Sequence, residues 1–390
     1  MRIFLIAGEA SGDNLGAALM DGLRQLAPGI AFDGVGGPAM AARGLASRFP
    51  MDELSLMGLA EVLPRYLHLK RRIRELAAAV LETRPDLLLT IDSPDFCLRV
   101  ARAVRARARV PTCHYVAPSV WAWRPGRAPA MAPFIDHVLA LLPFEPPLIR
   151  AAGMACDFVG HPAATMPVAR AAEAAAFRAG HGIGDAPLVL ALPGSRRGEI
   201  ARLAPRFGQA LAQVLAARPG ARVVLPMAGP VAAQVRAAVA DWPFRPLLID
   251  PADGPAEKRA AFAAADAALA ASGTVSLELA ANGVPMVIGY DMAPLSRLVI
   301  SRLLRTDTVT LVNLVSGTRA VPEYIGRACR PAPMAAALME VLADPAPQRA
   351  AMALTMERLG RGGEAPGLRA ARAVLARHAG PDLRENTPGG

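Results

Sequence analysis

Short apolar runs alternate with longer helical patterns along nearly all of the 390 residues, and that alternation dictates parallel sheets wound with helices. In the first half the strand-like runs cover residues 3–7, 31–35, 87–91, 112–116, 137–141 and 157–159. In the second they cover 188–192, 222–225, 246–249, 267–270 and 285–288. An alanine-rich stretch from 163 to 186, with Gly180, Gly182 and Gly184, interrupts the rhythm and reads as a linker. Two facing, doubly wound α/β domains follow, at 1–162 and 187–345, and the length suits two cores better than one. After Pro345 only helical patterns remain, at 348–359 and 368–378. The segment 346–379 reads as a helical tail packing across the domains, and the proline- and glycine-rich 380–390 as disordered.

Composition narrows the class. Hydrophobic residues make up 53% and charged ones 19%, yet no apolar run approaches the roughly 18 residues of a spanning helix. The first six residues lack the long apolar core of a signal peptide and read as a first strand, which predicts a cytoplasmic protein. A net charge of +10 points to a partner bearing phosphates: nucleic acid, an anionic membrane surface or a phosphorylated small molecule. Aromatics are only 5% and no basic tract is interleaved with them, which argues against nucleic acid. Cys97, Cys113, Cys156 and Cys329 are scattered, with no Cys-x-x-Cys and no histidine at ligand spacing. Reduced, buried thiols and no metal site are the expectation.

In doubly wound sheets ligands bind beyond the carboxyl ends of strands, so the loops there hold the candidates. Ala191-Leu192-Pro193-Gly194-Ser195-Arg196-Arg197-Gly198-Glu199-Ile200 joins a strand to a helix through a glycine, a hydroxyl and guanidinium groups. The unpaired N–H groups of a helix start favour an anion there, Gly194 admits a ligand close to the backbone, Ser195 adds a hydroxyl, and Arg196 or Arg197 adds a forked charge-assisted contact. A plain turn with solvated arginines is the alternative. Ser272-Gly273-Thr274 repeats the strand, turn, helix pattern, and two such starts in one domain point to a nucleotide diphosphate. Glu278, one turn further, is placed to accept from ribose hydroxyls.

The first half carries different chemistry. Gly8-Glu9-Ala10-Ser11-Gly12-Asp13 lacks a dinucleotide fingerprint, and Glu9 would repel a pyrophosphate, so a sugar hydroxyl fits better; Ser11 or Asp13 also suits a helix cap. In Asp92-Ser93-Pro94-Asp95-Phe96, Asp95 reads as a cap and leaves Asp92 as the freer carboxylate, suited to general-base work. Residues 114–124 hold two of the three tryptophans and either pack a core edge or line a pocket. From Val62 to Val80 a helical stripe of Val62, Tyr66, Leu69, Ile73, Leu76 and Val80 is flanked by Arg65, Lys70, Arg71, Arg72 and Arg74. Its C-terminal half reads as a packing face. With the preceding Leu54 to Leu59, Met57 included, its N-terminal half suits a lipid-handling surface.

Taken in order, Gly8-Glu9-Ala10-Ser11-Gly12-Asp13, Met57-Gly58, Asp92-Ser93-Pro94-Asp95-Phe96, Pro118-Ser119-Val120-Trp121-Ala122-Trp123-Arg124, Leu142-Pro143-Phe144-Glu145, Gly160-His161-Pro162, Pro193-Gly194-Ser195-Arg196 and Ala271-Ser272-Gly273-Thr274 closely resemble the lipid A disaccharide synthase family. The resemblance implies a GT-B fold and an inverting, metal-independent transfer, without cofactor, of 2,3-diacylglucosamine from UDP-2,3-diacylglucosamine to 2,3-diacylglucosamine 1-phosphate. It also implies peripheral association with the cytoplasmic face of the inner membrane, through Met57, Val62, Tyr66 and Leu69. By position, Asp92 matches the family's general base and Glu9 and Ser11 its N-terminal active-site loop. Gly194, Ser195, Arg196, Ser272, Gly273, Thr274 and Glu278 match the donor side, and the family pattern favours Arg196 over Arg197. Asn313 and Glu323 match later substrate-site motifs. Two positions depart: Cys97 stands where an asparagine commonly follows Asp-Phe, and Gly326 where a glutamine commonly follows Val-Pro-Glu. The competing readings are a sugar-nucleotide epimerase on the same fold and a non-catalytic peripheral membrane protein that binds nucleotide sugars.

Overall fold

The apolar runs become the strands of two parallel six-stranded sheets in a computed structural model, which describes residues 1–54, 59–122, 125–292 and 306–380, without the side chains of 59–65. In the first unit β1 (Arg2–Ala7) leads through α1 (Ala10–Leu26) to β2 (Ala31–Val35), and through α2 (Pro38–Ala41) and α3 (Leu59–Thr83) to β3 (Leu87–Ile91). Then come α4 (Pro94–Arg105), β4 (Thr112–Tyr115), α5 (Arg127–Met131), β5 (His137–Ala140), α6 (Glu145–Ala151) and β6 (Ala155–Phe158). The strand order is β2-β1-β3-β4-β5-β6, all parallel. Every residue of β3, β4 and β5 is buried, as strands covered on both faces require.

The second unit starts at Met166. It runs through α7 (Ala171–Gly180), β7 (Leu188–Leu192), α8 (Arg197–Ala217), β8 (Arg222–Pro226), α9 (Ala232–Ala240), β9 (Leu247–Ile249) and α10 (Gly254–Ala264). It continues with β10 (Ala267–Ala270), α11 (Val275–Ala281), β11 (Met286–Tyr290), α12 (Leu311–Ser316), β12 (Glu323–Ile325), α13 (Pro331–Ala343) and α14 (Ala346–Arg358). Here the order is β12-β11-β10-β7-β8-β9, again parallel. The chain then returns to the first unit with α15 (Pro366–His378).

Three expectations differ from the structure. The stretch 163–186 is not a plain linker, because α7 lies within it and docks on the second unit. Arg178 of α7 donates to the Ala264 carbonyl and pairs with Asp266 at 2.7 Å. The glycines that suggested a loose linker instead make the turn into β7, where Gly182 and Gly184 take φ of +62° and +55°. Secondly, β12 carries no strand signal: it is three residues long, each only half-buried, at the edge of its sheet. Thirdly, the C-terminal helices divide between the units. In α14 the Gln348 side-chain amide brackets the N–H and carbonyl of Met286 at 2.7 and 2.9 Å, joining it to β11.

Helix α15 packs on α1 at van der Waals distance of backbone from backbone. A Cβ on Gly22 would lie 2.7 Å from the Gly367 carbonyl oxygen, and one on Gly367 would lie 2.6 Å from that of Ala18. We expect Gly22→Ala to force these helices apart and lower stability by about 1–3 kcal/mol in urea unfolding. Gly29→Ala, which faces open space, serves as the neutral control.

Candidate active site

A doubly wound sheet leaves a crevice where successive connections run to opposite sides, beyond the carboxyl ends of the two strands that flank this switch point. In the first unit those strands are β1 and β3, and the loops following them carry Glu9, Ser11 and Asp92. Asp92 and Ser93 both take left-handed backbone conformations, with φ of +53° and +40°, a region that aspartate tolerates through its short polar side chain. The Asp92 N–H donates to the Tyr115 carbonyl at 2.9 Å. Its carboxylate accepts from the Ser11 hydroxyl at 3.0 Å and from the Ser93 N–H at 2.9 Å. The Ser93 hydroxyl donates in turn to Glu9 at 3.4 Å. Gly8 makes this closeness possible, since a Cβ there would sit 2.6 Å from the Ser93 oxygen. Asp92, Glu9 and Ser11 thus form one polar cluster.

The neighbouring acids have other tasks. Asp95 does not cap α4: it lies within the first turn and pairs with Arg127. Asp13 is buried and accepts from the N–H groups of Gly37, Ala39 and Met40 at 2.8, 2.8 and 3.0 Å, so it fixes the turn after β2. Cys97 is buried below the cluster, where loss of solvent raises its thiol pKa far above the ordinary value.

Beside the cluster a cavity of about 220 Å³ is walled by Leu54, Tyr66, Leu69, Ile73 and Phe96, with Lys70 and Arg99 at hand. The stripe on α3 divides as its burial predicts. Leu76 and Val80 are core, Leu69 and Ile73 lean on it, and Tyr66 is 41% exposed. Leu67, off the helical stripe, is 77% exposed. The Lys70 ammonium lies 4.6 Å from the centre of the Tyr66 ring. Met57 and the side chain of Val62 lie outside the described residues.

In the second unit the central strands are β7 and β10, and the loops after them face one pocket of about 630 Å³. Gly194, Ser195, Arg196, Ser272, Gly273, Thr274 and Glu278 all line it. Gly194 takes φ of +114°, and a Cβ there would meet the Glu199 carboxylate at 2.6 Å. That carboxylate is buried; it accepts from the Ser195 N–H at 3.1 Å and pairs with Arg196 at 3.4 Å. Arg196 precedes α8 in extended conformation and borders the pocket, whereas Arg197 begins the helix and does not. Gly273 turns at φ of +151°, and the Ser276 hydroxyl closes that turn onto its carbonyl at 2.8 Å.

Lys258 was not apparent from the sequence. It enters the pocket wall from α10 and pairs with Glu278 at 2.7 Å, so the carboxylate expected to accept from ribose hydroxyls is engaged in an ion pair. The signal available was rarity, for Lys70 and Lys258 are the only lysines of the chain.

Asn313 and Glu323 do not line that pocket. The Asn313 amide is buried, donates to the Val321 carbonyl at 2.9 Å and accepts from the Val321 N–H at 3.0 Å. Glu323 accepts from the Thr308 hydroxyl at 2.7 Å and the Thr310 N–H at 2.6 Å. Together they hold residues 308–310 against the start of β12. Gly326 takes φ of +62°, a conformation in which a glutamine would be strained. In the first unit, Trp121 packs edge-on against Phe144 with ring centres 5.4 Å apart and donates to Glu145 at 3.2 Å. Trp123 lies outside the described residues.

The sheets, their strand orders and their loops at both crevices define the class: a GT-B-type α/β protein. S. aureus MnaA in its UDP co-structure superposes with a TM-score of 0.65 at 16% identity, covering 100% of this chain and 99% of that one. The glycosyltransferase of kitacinnamycin gives 0.60 at 18% identity, covering 97% and 99%. At such identities the likeness shows the fold alone. The family model for lipid-A-disaccharide synthetase matches residues 3–372. The lipid-A-disaccharide synthase of Ruegeria pomeroyi is 64% identical over 97% of this chain and 95% of its own length. That of Rhodospirillum centenum is 47% identical over 100% and 98%. The chain belongs to the lipid-A-disaccharide synthase family.

Burial of Glu145 raises its carboxyl pKa to about 7, despite the N–H donors of Leu142 and Trp121. Between pH 4.5 and 7 the unfolded chain ionises this group while the folded one keeps its proton, so stability falls as pH rises through that window. We expect Glu145→Gln to remove a decline of about 3 kcal/mol, read as a flatter pH profile of denaturant unfolding.

Proposed function

We propose that this protein transfers 2,3-diacylglucosamine from UDP-2,3-diacylglucosamine to 2,3-diacylglucosamine 1-phosphate, inverting the anomeric centre and releasing UDP. Membership of the family supports this reading over epimerisation, although epimerases share the fold. The observation that carries the mechanism is the placement of Asp92 at the β1/β3 crevice. Its carboxylate is steadied by the Ser11 hydroxyl and the Ser93 N–H.

The acceptor's primary hydroxyl oxygen bonds to the anomeric carbon as the bond from that carbon to the UDP oxygen breaks. The hydroxyl proton passes to Asp92. Oxocarbenium-like charge grows on the sugar meanwhile, and the departing diphosphate gathers negative charge. The backbone around Gly194, the Arg196 guanidinium and the Lys258 ammonium provide positive partners for that charge without a metal or cofactor. Glu9 and Ser11 orient the acceptor and the base. Asn313 and Glu323 act indirectly, by fixing the loop they bind. The acyl chains and the cytoplasmic face of the inner membrane meet the apolar start of α3, with Tyr66 and Leu69 at the cavity; Met57 and Val62 belong to the same apolar set by sequence alone.

Asp92→Ala is expected to lower kcat at least about hundredfold while UDP-sugar binding is kept, with UDP release followed in the presence of both diacylated sugars. Unchanged turnover would remove Asp92 from the reaction, and UDP release without acceptor would favour another activity. For the membrane, Tyr66→Ser combined with Leu67→Ser should weaken sedimentation with anionic vesicles while Tm holds. A fall in Tm with unaltered vesicle binding would make these residues part of the core.

A further inference from the structure

Cys113, His137 and His378 are far apart in the sequence, yet the first unit brings their ligating atoms within 4.8 Å of one another. Cys113 comes from β4, His137 opens β5, and His378 closes α15. His137 Nδ1 lies 3.7 Å from Cys113 Sγ and 3.2 Å from His378 Nε2. A tetrahedral zinc ion with bonds of about 2.0 to 2.3 Å sets neighbouring ligand atoms about 3.3 to 3.6 Å apart, so these two separations are already close to a coordination edge.

The far side of His137 fits the same geometry. Its Nε2 lies 2.8 Å from the Asp157 carboxylate, which also takes Arg377 at 3.3 Å. A carboxylate there keeps the ring proton on Nε2 and turns the Nδ1 lone pair toward the thiol and the second imidazole. Carboxylates behind metal-bound histidines impose that orientation. Cys113 and His137 are buried, and His378 is partly exposed and opens the cluster to solvent.

We propose that Cys113, His137 and His378 form a binding site for a thiophilic divalent cation of the zinc type, with solvent in the fourth position. A thiolate and two imidazoles suit zinc and disfavour magnesium or calcium. The site lies at the amino ends of β4 and β5, whereas Asp92 follows the carboxyl end of β3 in the same parallel sheet, so the cation has no part in glycosyl transfer. It clamps the end of α15 to the sheet, as the Gly22 and Gly367 crossing holds the beginning of that helix. The expectation of thiols without a metal partner rested on sequence spacing, which does not reveal ligands supplied by three separate elements.

Full-length protein stripped with a chelator and dialysed would be titrated with Zn²⁺ against a chelating indicator, and separately with Co²⁺ under an absorption spectrum. One Zn²⁺ per chain is expected, with a rise in Tm, and Co²⁺ should show a thiolate-to-metal charge-transfer band. Cys113→Ser should abolish that band. Asp157→Asn should weaken Zn²⁺ binding about 10- to 100-fold, and His378→Gln by at least as much. His378→Gln, at a partly exposed helix end, keeps the test open if Cys113→Ser does not fold. Absence of stoichiometric Zn²⁺ from the wild type, or binding undiminished in a folded His378→Gln variant, would overturn the site.

Discussion

Reversal of winding direction within each parallel sheet is the constraint on which the site depends. Because β1 and β3 send their following helices to opposite faces, the loops between must part, and the backbone there is left open to a ligand. The same holds for β7 and β10. Left-handed backbone at Asp92 and Ser93 costs on the order of 1–3 kcal/mol each. The surrounding structure imposes it: β3 is buried along its whole length, and the Asp92 N–H is fixed to the Tyr115 carbonyl of the next strand. Position, rather than any unusual residue, makes Asp92 available for chemistry.

Equivalent crevices in the two sheets hold opposite chemistry. The first gathers carboxylates and hydroxyls in Glu9, Ser11, Asp92 and Ser93, an arrangement hostile to a diphosphate and suited to sugar hydroxyls. The second gathers glycine turns, loop N–H groups, Arg196 and Lys258, which suit an anion. Under the proposed function, one architecture would serve acceptor activation in one unit and leaving-group stabilisation in the other, by exchange of a few loop residues.

Fully buried strands were legible in the sequence to within one or two residues, because burial on both faces leaves an unbroken apolar run. The pairing of loops at the second crevice was legible too, since each loop follows such a run. What the sequence concealed depends on contacts between distant segments. The short edge strand β12 exists only by pairing with β11, and α7 only looks like a linker until Arg178 is seen bound to Asp266. Asp95 has the composition of a cap, but the guanidinium that claims it arrives from α5. Lys258 enters the second unit's pocket from a helix whose alanine-rich pattern carries no hint of a site. Asn313 and Glu323 read as ligand contacts by motif, yet their polar atoms bind one another's loops.

That last distinction separates two kinds of motif residue and bears on how the donor loop works. Asp13, Glu145, Asn313 and Glu323 spend their polar atoms within the protein, so their substitution acts through folding and loop position. Glu199 belongs to neither kind alone. It is buried and accepts the Ser195 N–H, which fixes the loop, but it also faces Arg196 at 3.4 Å across a guanidinium that is 59% exposed. That separation is long for an ion pair, the guanidinium end is solvated, and a forked, charge-assisted contact from the same guanidinium to a phosphate is the stronger one. Glu199 therefore holds Arg196 over the pocket without retaining it. In the proposed mechanism, as charge grows on the departing diphosphate the guanidinium would gain more from the ligand than it loses from the glutamate, and its stabilising effect would be greatest at the point of bond cleavage.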